Sequence, residues 1–213
     1  MGVRAVIFDI GGVLEITTEM TFLGEWIRRL GLSARHLDTD LIDLWPAGEL
    51  GTVTESDVHD TLCRTLAIDQ HTADALLADM WTQYLGTANT ALIDYLRALR
   101  PRYRTGLLSN SFVGARERER AAYGFEHDVD EIVYSHEVGL AKPDPAIYRL
   151  ACTRLGVTPE ETVFVDDSPS AVAAARALGM TAIHHSANEA TIAAVNSVLA
   201  QEPDERPICN SSL

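Results

Sequence analysis

Lysine is almost absent from this 213-residue chain: of its 17 basic residues, 16 are Arg and one is Lys142. Cysteine is scarce as well. Cys63, Cys152 and Cys209 are scattered and odd in number, which argues against a disulfide framework or a zinc site and fits a reducing compartment. No stretch approaches the roughly 20 apolar residues that a membrane helix needs. The opening run MGVRAVIFDI reaches Asp9 too soon for a secretory signal, and the Ser or Thr of a myristoylation signal is missing after Gly2. A cytoplasmic protein is the expectation. Positive charge is in deficit, 17 basic residues against 31 acidic for a net −14, so neither nucleic acid nor an anionic membrane surface is an expected partner. With 14 Gly, 8 Pro and 46% apolar residues, the composition is that of an ordinary globular protein, not a disordered or collagenous one.

Residues 3–8, VRAVIF, form an apolar run that ends at Asp9 and is followed by Gly11 and Gly12. This pattern predicts a buried strand running into a tight loop. Residues 15–88 read differently. Apolar positions recur at helical spacing in 22–30, 57–67 and 73–85, Thr54 with Asp57 marks a helix start, and no strand is evident. From 89 onward, helices (89–99, 113–123, 145–155, 169–178, 188–200) alternate with strands (104–108, 131–135, 162–166, 181–184). Asp144–Pro145, Thr158–Glu161 and Ser168–Pro169 supply helix-start signals. Alternation of this kind predicts an α/β fold: a Rossmann-like parallel sheet with helices on both faces, interrupted by an inserted all-helical block. The expected organisation is core at 1–14, helical block at 15–88, core at 89–200 and a polar tail at 201–213.

In an open parallel sheet, ligands bind beyond the carboxyl ends of the strands. Four segments place polar residues there: Asp9 after the first strand, Ser109 and Asn110 after LL, Lys142 in GLAKPDP, and Asp166 with Asp167 in FVDDS. Adjacent ionised carboxylates repel and need a cation. All-oxygen donors suit Mg²⁺, which binds through one or two carboxylates together with substrate phosphate. Asp9 is then placed to act as a nucleophile forming an aspartyl-phosphate, Ser109 to donate to a phosphate oxygen, and Lys142 to neutralise both. A compact ammonium suits that point-charge role better than a guanidinium fork, which gives the lone Lys a reason to be there.

The motifs VIFDIGGVL, LLSNS, GLAKPDPAIY and VFVDDSPSAVAAARALG occur in this order, and together they resemble the haloacid dehalogenase-like hydrolase superfamily, in its branch with a helical cap between the first two motifs. The resemblance implies that Asp9 is the nucleophile and a Mg²⁺ ligand, and that the backbone carbonyl of Gly11 is a further ligand. It implies that Asp167 ligates directly, that Asp166 ligates or supports, and that Ser109, Asn110 and Lys142 hold the phosphate. One position departs from the pattern. Phosphatase members usually carry a second Asp, the general acid and base, where this chain has Gly11; dehalogenase members commonly carry Tyr there, and phosphonate-cleaving members need a cap Lys that 15–88 lacks. Loss of a general acid costs roughly 10²–10⁴-fold in rate. The expectation is a Mg²⁺-dependent phosphatase for a small phosphorylated metabolite, slow or restricted to good leaving groups. The alternatives are a binding or regulatory protein that kept the site without useful turnover and, disfavoured, a dehalogenase.

Several other residues have plainer readings. Glu15 reads as solvated, with replacement of the missing acid as the alternative. His136, His184 and His185 read as structural. Trp26 and Trp81 read as core residues, and Trp45, in the loop WPAGELG, as a residue that can face substrate. The run RERER at 116–120 reads as a solvated helix face.

Overall fold

The computed structural model describes residues 2–33 and 41–200, so the expected tail at 201–213 lies outside the described residues. The chain runs β1 (Ala5–Phe8), β2 (Glu15–Ile16), α1 (Phe22–Arg29), α2 (Leu44–Glu49), α3 (Glu55–Leu66), α4 (Gln70–Leu85), β3 (Thr87–Ala88) and α5 (Thr90–Leu99). It continues through β4 (Arg104–Ser109), α6 (Ala115–Ala122), β5 (Glu131–Tyr134), α7 (Ser135–Val138), α8 (Pro145–Leu155), β6 (Thr162–Asp166), α9 (Pro169–Ala177), β7 (Thr181–His184) and α10 (Asn188–Ala200).

The main sheet has the order β5-β4-β1-β6-β7, and every pairing in it is parallel. β1 is central because none of its side chains tolerates water: Val6 and Phe8 enter one hydrophobic cluster, Ala5 and Ile7 the other. Helices cover both faces. Leu92, Ile93 and Leu96 of α5 and Val195 of α10 pack on the first face; Ile147, Tyr148 and Ala151 of α8 and Val172 and Ala175 of α9 pack on the second. This is the expected α/β sheet, with a helical insertion between its first two strands.

The insertion has its own core of Phe22, Trp26, Leu44, Val58, Leu62, Leu66, Leu76, Met80 and Trp81. Local chemistry starts its helices. Thr54 and Asp57 form a reciprocal capping box on α3, and Asp69 accepts from the Thr72 amide at the start of α4. Contrary to the expectation of no strand in 15–88, β2 and β3 pair antiparallel, Glu15 opposite Ala88 and Ile16 opposite Thr87. A ladder of two residues per strand is too short to carry an alternation of apolar and polar residues, so nothing in the sequence announces it. Asn89 seals the same junction. Its amide group donates to the Val13 carbonyl and to Asn188, both at 2.8 Å.

Two further expectations change. WPAGELG is mostly helix, not loop, since α2 carries Pro46 in its first turn, where no intrahelical N–H bond is lost. The RERER face is not simply solvated. Arg116 pairs with Glu126 and Glu137, Arg118 lies 4.0 Å over the Trp81 ring and 2.7 Å from Glu55, and Glu119 is buried. Partners from other elements, invisible in the run itself, draw these charges inward.

Candidate active site

Parallel register brings the strand ends together. Phe8 is level with Leu107 of β4 and Val165 of β6, and the Asp9 amide donates to the Val165 carbonyl at 2.8 Å. Asp9, Ser109 and Asp166 therefore emerge side by side at the carboxyl edge, all of them buried. Lys142 reaches the same point from the segment before α8. Its Nζ lies 2.7 Å from Asp9 Oδ1 and 2.7 Å from Asp166 Oδ2. An ammonium has three donors, so one N–H is left for a further anion.

The surroundings explain the charge states. Burial pushes the Asp9 carboxyl up to about 7; Lys142 opposes this and Asp166 adds to it. Burial alone would push Lys142 down, but Asp9 and Asp166 together raise it above the usual lysine range. Both oxygens of Asp166 are occupied, Oδ2 by Lys142 and Oδ1 by the Ser168 amide at 2.7 Å. Asp167 is exposed, with its carboxylate against the nucleophile loop. A Cβ on Gly12 would sit 2.3 Å from Asp167 Oδ2, and Gly12 has φ +75°, so both the turn and the close approach of Asp167 require glycine there.

Oxygens of Asp9, Asp166 and Asp167 lie within 4.8 Å of one another, so three carboxylates face one ammonium. The donors are all oxygen and negative charge is in excess, which fits a hard divalent cation. Gly11 sits at the top of the same loop, which is held by the Glu15 amide on the Ile10 carbonyl and the Gly12 amide on the Glu15 carbonyl, both at 2.9 Å. Gly11 has open space where a side chain would begin and no positive φ.

Asn110 has a use its motif position does not reveal. Its amide group donates to the Lys142 carbonyl at 2.9 Å and its Oδ1 accepts from the Lys142 amide at 2.7 Å. These bonds fix the Lys142 backbone and leave the second amide hydrogen of Asn110 for the phosphate contact expected of it. Ser111 was not singled out by the sequence. Its Oγ bonds His136 Nδ1 at 2.7 Å and its amide donates to Ser135 Oγ, which ties the loop after β4 to α7. His136 is thus engaged structurally, as are His184, on the Asp167 carbonyl, and His185, on Thr191. Trp26 and Trp81 are buried in the insertion, whereas half-buried Trp45 lines a cavity beside Asn110.

A second acidic group lies close by. Glu15 and Glu119 are each about 1% exposed, and Oε1 of each has no hydrogen-bond partner among the described residues. Tyr134 Oη donates to Glu119 Oε2 at 2.5 Å. Burial, then Glu119 and Asp9, push Glu15 up to about 10; burial pushes Glu119 up to about 7 against the Tyr134 bond. The expectation of a solvated Glu15 is therefore overturned: the residue is buried, and burial pushes its carboxyl toward the neutral form. At about 1% exposure it presents almost no surface to a ligand in the cleft, so this geometry gives little support to Glu15 as the replacement for the missing acid.

The chain is similar to several known proteins. Over 179 residues the chain is 28% identical to a glyceraldehyde 3-phosphate phosphatase from Methanopyrus kandleri, covering 78% of this chain and 76% of that protein. A shorter stretch of 78 residues is 36% identical to a phosphoserine phosphatase from Thermus thermophilus, covering 36% of this chain and 31% of that protein. Among solved structures, a HAD-family enzyme from Bacteroides thetaiotaomicron in complex with magnesium and inorganic phosphate matches with a TM-score of 0.74 at 25% identity, over 87% of this chain and 96% of that one. The model of the haloacid dehalogenase-like hydrolases matches residues 3–179, and with the four strand-end motifs gathered at one edge of the sheet, the chain belongs to that family of hydrolases.

Proposed function

We propose that the protein is a Mg²⁺-dependent phosphatase that hydrolyses a small phosphorylated metabolite through a phosphorylated Asp9. The observation that carries this reading is the single ammonium of Lys142 held 2.7 Å from both Asp9 and Asp166, with Asp167 beside them. The phosphatase names of two relatives and the magnesium and phosphate in the Bacteroides enzyme support it.

The chain's own groups divide the work. The close contacts of Asp9 fall on Oδ1, from Lys142 and from the Ile10 amide at 2.8 Å, which leaves Oδ2 to attack phosphorus. Lys142 neutralises the phosphoryl group through its remaining N–H, and Ser109 donates to a phosphoryl oxygen; its Oγ is otherwise only 3.4 Å from the Asn110 carbonyl. Asn110 is a positioning residue that holds Lys142 by its backbone. Asp9, the Gly11 carbonyl and Asp167 are the residues that would hold Mg²⁺, with Asp166 in support. When bound, the ion supplies the positive charge that keeps Asp9 ionised and neutralises the phosphoryl oxygens. With Gly11 in place of an acid, the leaving oxygen departs largely unprotonated, so turnover is confined to good leaving groups.

The test is p-nitrophenyl phosphate hydrolysis with Mg²⁺ and with excess EDTA. Hydrolysis that stops in EDTA supports the reading, and unchanged activity in EDTA overturns the metal assignment. Gly11 also favours a second reading, a protein that binds Mg²⁺ and phosphate without turnover. It predicts measurable phosphate binding with no product on any phosphate ester.

A further inference from the structure

Beside the loop that follows Ser109 lies a cavity of about 560 Å³, within the roughly 300–1,000 Å³ range of small-molecule sites. Asn110 and Ser111 line it on the sheet side. The insertion supplies apolar walls from Phe22, Trp45, Met80 and Tyr84, and Phe112 joins them from the core. Trp45 meets Phe22 edge to face at 5.7 Å and Phe112 in a tilted arrangement at 5.6 Å. Among the described lining residues only Glu49 carries charge, and it is negative.

The wall is built rather than incidental. A Cβ on Gly48 would lie 2.0 Å from the Phe112 ring, so glycine lets α2 dock directly on that ring. The Val113 amide donates to the Gly48 carbonyl at 3.1 Å, and Ser135 Oγ donates to the Glu49 carbonyl at 2.8 Å. These bonds pin α2, and with it Trp45, over the end of the sheet. A polyhydroxylated body placed there would lose water for few hydrogen-bonding partners, and that loss is unfavourable. An aromatic body buries its ring against rings at favourable edge and offset distances.

A second observation is independent of the cavity. Gly11 leaves the departing oxygen without an acid, which favours an ester of an acidic hydroxyl. A phenolic oxygen combines that acidity with an aromatic body. We propose that the substrate class is a small aryl phosphate monoester without a second anionic group, its ring held among Trp45, Phe112 and Tyr84 and its phosphoryl group at Asp9, Ser109 and Lys142. This proposal rests on the phosphatase reading. Asp9 oxygen bonds to phosphorus as the P–O(aryl) bond breaks, and the electron pair leaves with the aryloxide. Water then cleaves the aspartyl-phosphate, and its two protons end on the phenol and on inorganic phosphate.

The experiment has a catalytic arm and a binding arm. In the first, kcat/KM is measured for phenyl phosphate, 4-carboxyphenyl phosphate, glucose 1-phosphate and glycerol 3-phosphate. Phenyl phosphate should lead, and Trp45→Ala should lower its kcat/KM by roughly 10–100-fold, as for a hot-spot aromatic, while affecting glycerol 3-phosphate far less. A glucose 1-phosphate rate above that of phenyl phosphate overturns the aryl assignment and leaves the phosphatase reading standing. In the second arm, calorimetry measures the binding of phenyl phosphate and glucose 1-phosphate to Asp9→Asn protein with Mg²⁺. Tighter phenyl phosphate binding, lost in Asp9→Asn/Trp45→Ala, supports the pocket even if no ester is hydrolysed, the outcome that defeats the phosphatase reading alone. Equal affinity for both ligands overturns the proposal.

Discussion

Two pairs of buried carboxyl groups, one at the sheet edge and one beneath the insertion junction, meet the same physical problem in opposite ways. Asp9 and Asp166 share Lys142, with Nζ 2.7 Å from each. Among the described residues no cation is ion-paired to Glu15 or Glu119, although Arg116 lowers Glu119 electrostatically; one tyrosine hydroxyl bonds Glu119, and Oε1 of each acid lacks a partner. In the first pair Lys142 opposes the upward push of burial, yet the Asp9 carboxyl still stands at about 7, and a divalent cation would be needed to complete its ionisation. The second is held neutral or half-neutral by burial, with Glu15 at about 10 and Glu119 at about 7. Buried acids are therefore not interchangeable evidence of chemistry. A cation lowers the cost of ionising a buried carboxylate; where no cation is paired with it, burial and neighbouring acids push its charge off more freely, as at Glu15.

The largest break in this contrast is Asp9→Asn. It removes the attacking oxygen without removing volume, so p-nitrophenyl phosphate turnover should drop to background, while the melting temperature holds or rises because one buried acid is gone. Wild-type turnover in this variant would show that Asp9 is not the nucleophile.

Next is Lys142, the cation that distinguishes the two pairs. In Lys142→Met both acids lose it, which for a buried pair costs roughly 3–5 kcal/mol of stability. Lys142→Arg keeps the charge but not the shape and should lower kcat by about tenfold or more while the protein stays folded. Thermal melts beside steady-state kinetics separate the two. Full activity in the Arg variant would mean that charge alone matters at this position.

A smaller effect sharpens the role of Gly11. The wild-type rate should fall steeply as leaving-group pKa rises. Gly11→Asp has open space at its Cβ and no positive φ to resist it, so it should flatten that dependence, helping the poorest leaving groups by up to roughly 10²–10⁴-fold. A leaving-group series on both proteins checks this. A flat wild-type series would show that another group already delivers the proton.

The smallest effect concerns stability and pH. The carboxyls of Glu15 and Glu119 are raised in the folded state above the ordinary 4.5, so the folded chain binds more protons than the unfolded one above that pH. Their contribution is fully present below pH 4.5 and is lost as pH rises through about 7 for Glu119 and about 10 for Glu15. Each group contributes a slope of at most about 1.4 kcal/mol per pH unit. Glu119→Gln retains an acceptor for Tyr134 and should remove the loss that runs from pH 4.5 up to about 7. Calorimetric melts at pH 5, 7 and 9 should show a variant less sensitive to pH than the wild type; equal sensitivity would place Glu119 outside the titration.

Much of this was legible in the residues. AVIF and VFV are apolar at alternate and intervening positions alike, which suits a strand covered on both faces, and the acids that follow them, Asp9 and Asp166, then meet at one edge. Thr54 with Asp57 and Asp144 with Pro145 announced helix starts that the fold contains. The two-residue ladder of β2 and β3 was hidden because it is shorter than one period of any pattern. The use of Asn110 on Lys142 and the docking of α2 on Phe112 through Gly48 were hidden for a different reason. Each joins segments far apart in the chain, and neither partner alone has an unusual neighbourhood in sequence.

The sequence by itself determined the alternation that makes the parallel sheet, the strand ends that carry Asp9, Ser109 and Asp166, and the identity of the one ammonium available to them. Those outcomes follow from local periodicity and from the rule that every strand of such a sheet points the same way. Only the tertiary structure decided that Lys142 lies between two carboxylates, that Glu15 and Glu119 are buried with no ion-paired cation among the described residues, and that Trp45 and Phe112 form one apolar wall. Desolvation and Coulomb attraction depend on burial and on distances of a few ångströms between residues from different elements, and those distances exist only once the elements have packed.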